Sequence, residues 1–190
     1  MTPAQLKLKR QIRTALAQRQ RRTVDDPRLT CAAVLIPLLV KEDQWHVLVT
    51  QRTQIVEHHK GQISFPGGAC EPQDTGLLAT ALRETHEEIG IPAEMVEVLG
   101  ALDDFATITS FVVTPFVGVV PHPYVYDINQ QEVAQVIEVP LSFLCDPGNL
   151  RTERRMYDGC QHDVLFWDYG AYTIWGATAR ALKSFLDLLS

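Results

Sequence analysis

Arg83, Glu84, Thr85, His86, Glu87 and Glu88 place three carboxylates and a guanidinium within six consecutive residues. On a helix each residue advances about 100°, so Glu84 and Glu88 stand ~40° apart and Glu87 lies about one turn on from Glu84. Three carboxylates then crowd one side, where like charges at these spacings cost roughly tenths of a kcal/mol per pair. Arg83, four residues before Glu87, can neutralise one of them and leave Glu84 and Glu88 for another cation. A hard divalent ion suits that pair, because Mg²⁺ is held by few carboxylates while phosphates and waters complete its shell. A solvated acidic helix face is the plainer reading of the same residues. Just upstream, Gly67 and Gly68 leave the backbone open, so N–H or carbonyl groups there can approach a phosphate or supply a metal ligand. A metal held between such a loop and such a helix makes a centre for attack of water on phosphorus.

For these groups to meet, the glutamates need a helix and the glycines a loop beside its start. Residues 75–89 carry a helical pattern, with Leu78, Leu82, Thr85 and Ile89 on one stripe and Gly90 where a C-terminal cap is expected. Residues 31–40 read as a buried strand and 45–51 as a second, joined by a polar turn at 41–44. The loop 52–61 follows, then a short strand ending at Phe65. Further strands are expected at 96–102, 111–120, 133–139, 164–167 and 172–175. A helix closes the chain at 177–189, and another opens it, where Leu8, Ile12 and Leu16 recur every four residues. The pattern predicts one α+β unit, divided into a basic helix and loop over 1–29 and a main domain over 30–190.

The segment 67–91 resembles the signature box of the Nudix hydrolases, Gx5Ex7REUxEExGU with U aliphatic. Arg83, Glu84, Glu87, Glu88, Gly90 and Ile91 match it, while Thr85 stands at an aliphatic position. Asp74 takes the first acidic position after Gly68, with eight residues before Arg83 instead of seven, and reads as a helix N-cap. Upstream, Leu48, Thr50, Arg52, His59, Gly61, Phe65, Pro66, Gly67 and Gly68 keep the spacing of a second motif, roughly LLTxRSxxLxxHxGxVxFPGG, of the coenzyme A pyrophosphatase subfamily. Ile174, Trp175, Gly176 and Thr178 are similar to that subfamily's IWGxTA stretch.

The resemblance implies an α/β/α sandwich with a mixed sheet, flanked here by an N-terminal and a C-terminal helix, and Mg²⁺ or Mn²⁺ as cofactor. It implies Glu84 and Glu88 as metal ligands beside Gly68, and Glu87 as a third ligand or a group that helps deprotonate water. Arg83 would orient the glutamates by charge-assisted hydrogen bonds. Substrate contacts would come from Arg52, His59, Gly67 and Gly68. Family members take the attacking water's base from the box or from a later loop, where Glu132 is a candidate. The substrate implied is coenzyme A or an acyl-CoA, cleaved at its diphosphate to 3′,5′-ADP and 4′-phosphopantetheine or its acyl form. Two other readings stand: a general nucleoside-diphosphate-X hydrolase acting on ADP-ribose or similar, and a non-catalytic nucleotide-binding regulator.

An anionic substrate requires local positive charge, which Arg52, His59 and Lys60 can supply. Arg151, Arg154 and Arg155 form a second basic cluster, for phosphate contact or for a solvated turn paired with Glu153. His58 and His59 lack a third histidine at ligand spacing, which favours a loop role. Trp175 fits core packing better than stacking on adenine.

The chain has 190 residues, 46% of them hydrophobic, and a net charge of −6. Its first 22 residues hold seven basic groups and no acid, leaving ten basic against 23 acidic residues, or −13, for the rest. That balance argues against a nucleic-acid surface. The longest apolar run, residues 31–40, contains Pro37 and is too short to cross a bilayer as a helix. Cys31, Cys70, Cys145 and Cys160 form no CxxC pair and are expected to be reduced and mostly buried. With no secretory pattern at the start, this points to the cytoplasm, an organellar presequence being the alternative reading of the arginine-rich start. The expected partner is a small nucleotide substrate; neither nucleic acid nor membrane is expected, and a homodimer stays open.

Overall fold

A computed structural model describes residues 1–54, 61–157 and 159–189. The chain begins with helix α1 (Pro3–Gln18), followed by strands β1 (Thr30–Lys41), β2 (Gln44–Arg52), β3 (Ile63–Ser64) and β4 (Gly67–Ala69). Helix α2 (Leu77–Ile89) precedes β5 (Glu97–Ala101), β6 (Phe105–Ala106), β7 (Phe111–Val119) and β8 (Val133–Pro140). After α3 (Leu141–Cys145), strands β9 (Leu150–Tyr157), β10 (Cys160–Tyr169) and β11 (Tyr172–Trp175) lead into α4 (Gly176–Leu186).

The larger sheet is mixed, in the order β3-β2-β1-β7-β5, with β4 added to β1, β6 to β7 and β8 to β2. β1 and β7 run parallel along nine residue pairs, while the other neighbours are antiparallel. β1 is apolar between its ends because both its faces are covered: Ala33, Leu35 and Leu39 face one side, Ile36 and Leu38 the other. Glu42 and Asp43, with φ of 49° and 61°, close the β1–β2 hairpin in the doubly left-handed conformation that suits a two-residue loop. On one face Ala81 and Ile89 of α2 pack against Ala33, Leu35 and Leu48. The other face carries α1, α4 and the second sheet, β11-β10-β9, through Ile12, Trp167, Leu182 and Phe185. This is the expected layered α+β architecture with its terminal helices. No helix among the described residues is long and apolar enough to cross a membrane.

Several expectations are corrected. α2 begins at Leu77, two residues late, because Gly76 at φ 151° and ψ 173° turns the chain and no side chain caps the helix. Its buried face is Thr80, Ala81, Thr85, Glu88 and Ile89, with Leu78 and Leu82 only half-buried. Thr85 tolerates burial because its hydroxyl donates to the Ala81 carbonyl at 2.6 Å. The arginine cluster 151–155 lies on β9, a full strand, and not in a turn.

The cysteines also differ from expectation. Cys31 and Cys70 form a disulfide, with Cα atoms 5.5 Å apart, and Cys145 is exposed. Cys70 follows β4, whose antiparallel pairing brings it opposite Cys31, and a bridge between residues 39 apart leaves no trace in spacing. Cysteine usage therefore no longer argues for the cytoplasm.

The basic start is fastened to the acidic body. α1 opens with a capping box between Thr2 and Gln5 and runs against β5, with Leu16 seated on Gly100 so tightly that a Cβ there would stand 2.8 Å from the Leu16 Cβ. Lys9 and Arg13 pair with Glu97, Arg19 with Asp103, and Arg21 with Asp104.

Candidate active site

The site forms where β4 presses on α2. Pairing of Gly67 with Val34 and of Gly68 with Ala33 lays the two glycines along β1, close under the helix. A Cβ at Gly68 would collide with the Glu84 carboxylate, and one at Gly67 with the Ala33 carbonyl, so this approach is open to glycine alone.

Glu88 lies on the buried side of α2, only 2% exposed. Its Oε2 has no hydrogen-bond partner among the described residues. Burial pushes its carboxyl up to about 8, while Arg52 and a hydrogen bond from the Gly67 backbone pull the other way. Arg52 Nη1 stands 3.9 Å from Glu88 Oε1, and Arg52 Nε is itself buried without a partner among the described residues. Glu84 is also raised by burial, opposed by Arg83 and reinforced by Glu87 and Glu132.

Glu132 arrives from the turn before β8. That turn is tied to the end of α2, since the Asn129 N–H donates to the Glu88 carbonyl at 3.0 Å, and Asn129 Nδ2 donates to Glu132 Oε1 at 3.2 Å. The negative charge of Glu132 disfavours ionisation of both Glu84 and Glu88. Gly67, Gly68, Arg52, Glu84, Glu88 and Glu132 are thus brought together, while His59 lies outside the described residues.

Arg83 organises the exposed rim. Its Nη1 donates to Glu84 Oε1 and Glu87 Oε2, both at 2.9 Å, and its Nη2 to the Ala69 carbonyl at 3.2 Å. Its Nε and Nη2 grip Asp74 in a two-point bond at 3.0 and 3.1 Å. Asp74 also accepts from Thr80 Oγ1 and the Glu71 N–H, and the Arg83 guanidinium holds its carboxyl well below the usual range. Asp74 is therefore the anchor of Arg83 and not a helix cap; an acid nine residues before the box arginine was the available signal.

The donor set fits a divalent cation held partly by protein. Among the described residues no three His, Cys, Asp or Glu side chains converge into a closed cage. Glu88 Oε2, however, is a buried hard oxygen lacking a partner among the described residues, and Glu84 stands one helical turn away beside the open Gly68 backbone. Such a half-shell suits Mg²⁺, which keeps waters and substrate phosphates in its remaining positions. Glu87 is largely exposed and tied to Arg83.

The second basic cluster is paired with acids: Arg151 with Glu153 and Asp168, Arg155 with Glu153, and Arg154 with Asp163. Trp175, expected in the core, is 36% exposed and stacks on Phe166.

Comparison with known proteins shows the family. The model of the NUDIX domain matches residues 29–147. The uncharacterized Nudix hydrolase NudL of Enterobacter sp. (strain 638) is 43% identical over 155 residues, covering 80% of this chain and 79% of its own. Its namesake in Photorhabdus laumondii is 42% identical over 154 residues, covering 80% of each. Among solved structures, a MutT/nudix family protein from Enterococcus faecalis superposes with a TM-score of 0.58 at 17% identity, covering all of this chain and 70% of its own. A NUDIX hydrolase from Alicyclobacillus acidocaldarius gives 0.51 at 22%, over 62% of this chain and 81% of its own. With the box residues gathered around a buried carboxylate and relatives alike over four-fifths of the chain, the protein belongs to the Nudix hydrolase family.

Proposed function

We propose that the protein is a Mg²⁺- or Mn²⁺-dependent pyrophosphohydrolase that cleaves the diphosphate of coenzyme A or acyl-CoA to 3′,5′-ADP and 4′-phosphopantetheine or its acyl form. The observation that carries the hydrolase reading is the buried Glu88 carboxylate, with one oxygen lacking a partner among the described residues, facing Gly67 and Gly68 beside Glu84. The coenzyme A specificity rests on the spacing from Arg52 through Gly61 to Gly68 and on the Trp175 stretch.

In this reading Glu84 and Glu88, with the Gly68 backbone, hold the cation. A divalent ion there offsets the charge of the diphosphate and raises the acidity of water beside it. Arg83, locked by Asp74, keeps Glu84 and Glu87 in place, and the Gly67 N–H fixes Glu88. Arg52 balances the negative charge of Glu88 from within, and with Gly67 it would contact a substrate phosphate. Glu132, a carboxylate from outside the box whose charge is felt by both Glu84 and Glu88, accepts the proton of the attacking water.

Incubation of the protein with coenzyme A and Mg²⁺, followed by chromatography, is expected to yield 3′,5′-ADP and 4′-phosphopantetheine. Glu84→Gln should keep the fold and lower turnover at least about a hundredfold, the scale of a lost metal contact in the transition state. Intact coenzyme A beside rapid cleavage of ADP-ribose would replace this specificity with that of a general nucleoside-diphosphate hydrolase.

A further inference from the structure

The three tryptophans are treated differently: Trp45 and Trp167 are buried, whereas the Trp175 indole is 36% exposed. A lone exposed ring needs no explanation. This one, however, is held flat. Phe166 stacks against it at 6.2 Å and 11°, and the Arg155 guanidinium lies 5.9 Å from its centre. Phe166 is itself buried and is covered by Arg151 at 4.4 Å, so the platform is braced from the sheet. The indole lines a cleft of about 250 Å³ together with Gln51, Gln62, Ile63, Tyr172 and Thr173.

The cleft borders the catalytic residues. Gln51 directly precedes Arg52, and Ile63 comes four residues before Gly67, at most ~14 Å along an extended chain. Thr178 Oγ1 donates to the Ile63 carbonyl at 3.1 Å, which fixes the Trp175 side of the cleft to β3. Gln51 and Arg52 point to opposite faces of β2, so a ligand reaching both passes round the end of that strand, as a jointed diphosphate can.

We propose that this cleft receives the nucleobase of the substrate, a purine stacked on Trp175. The inference rests on the nucleotide-diphosphate reading above and adds the position of the base. An aromatic plane offers a π-face to any base, whereas the Gln51 amide is bonded to Gln135 and Gly61 and the Thr173 hydroxyl to Asp168, so the stacking face carries the recognition. An acyl chain and the pantetheine arm carry no ring to stack and would gain less from the indole plane.

The test is binding of the separated products, followed by tryptophan fluorescence and calorimetry. With wild-type protein, 3′,5′-ADP is expected to quench the exposed indole. Trp175→Leu keeps apolar bulk against Phe166 but removes the stacking face, and should weaken 3′,5′-ADP roughly tenfold or more. The same variant should leave 4′-phosphopantetheine affinity and the circular dichroism spectrum unchanged, and raise KM for coenzyme A far more than it lowers kcat. Trp175→Phe should restore most of the 3′,5′-ADP affinity. Unchanged 3′,5′-ADP affinity in Trp175→Leu, or a loss confined to 4′-phosphopantetheine, overturns the proposal. A wild-type protein that fails to cleave coenzyme A yet binds adenosine 5′-diphosphate with the same dependence on Trp175 overturns the coenzyme A reading and supports this one.

Discussion

At the scale of single residues, Glu88 has the most distinctive consequence. Its carboxyl, pushed up by burial to about 8, keeps a proton in the folded, metal-free protein that the unfolded chain gives up near 4.5. The raised value means that the contribution of this proton to the fold is full below about pH 4.5 and is lost progressively as pH rises from there to about 8. A cation binding at Glu88 displaces the same proton. Mn²⁺ affinity measured by calorimetry should therefore climb by about tenfold per pH unit between 6 and 8 and level off above. A flat profile would count against Glu88 as a ligand, and Glu88→Gln should remove the slope. The chemistry of this residue was legible in its type and spacing; its burial was not. Asp74 shows the same limit, since an acid near a helix start fits a cap until Arg83 is seen reaching back to it. Arg52 could be read from the sequence as a phosphate ligand, yet it faces Glu88, a pairing that only the fold creates.

At the scale of elements, those with a strong local signature were legible. β1 announced itself by an apolar run, and α2 by its left-handed Gly90, which ends the helix at φ 74°. β4 was not, because three residues starting with two glycines carry no periodicity. β9 was not, because its charged face is matched by acids on β9 itself and across the strand pair on β10. The Cys31–Cys70 bridge closes a segment that includes β2, β3 and β4. Opening a loop of 39 residues removes about 4 kcal/mol in the chain-entropy account. Thermal unfolding with and without dithiothreitol should show Tm lower by several degrees on reduction, and a Cys31→Ser, Cys70→Ser variant should be indifferent to the reductant. Turnover should suffer less than Tm, because β4 stays paired with β1 and the Ala69 carbonyl still accepts from Arg83. An unchanged Tm would show that the bridge contributes nothing to stability.

At the scale of the whole molecule, the uneven charge visible in the sequence is answered by contact. The acids that meet the arm are not all equal. Glu97 is largely exposed, and its pairs with Lys9 and Arg13 are worth little in water. The Asp104 side chain is 6% exposed and accepts from Arg21, Thr114 Oγ1 and the Val24 N–H. Asp104→Asn should cost about 1–3 kcal/mol, since it leaves the half-buried Arg21 guanidinium and the buried Thr114 hydroxyl short of an acceptor. Glu97→Gln should cost less than about 1 kcal/mol. Urea midpoints of the two variants decide the order, and equal shifts would deny Asp104 its role as the arm's anchor. The larger sheet ends at β5, and α1 covers a face of that strand, with Leu16 on Gly100 and Ile12 in the core beneath. Loss of the basic arm would bare this apolar face, and would be felt first in how long the protein stays in solution.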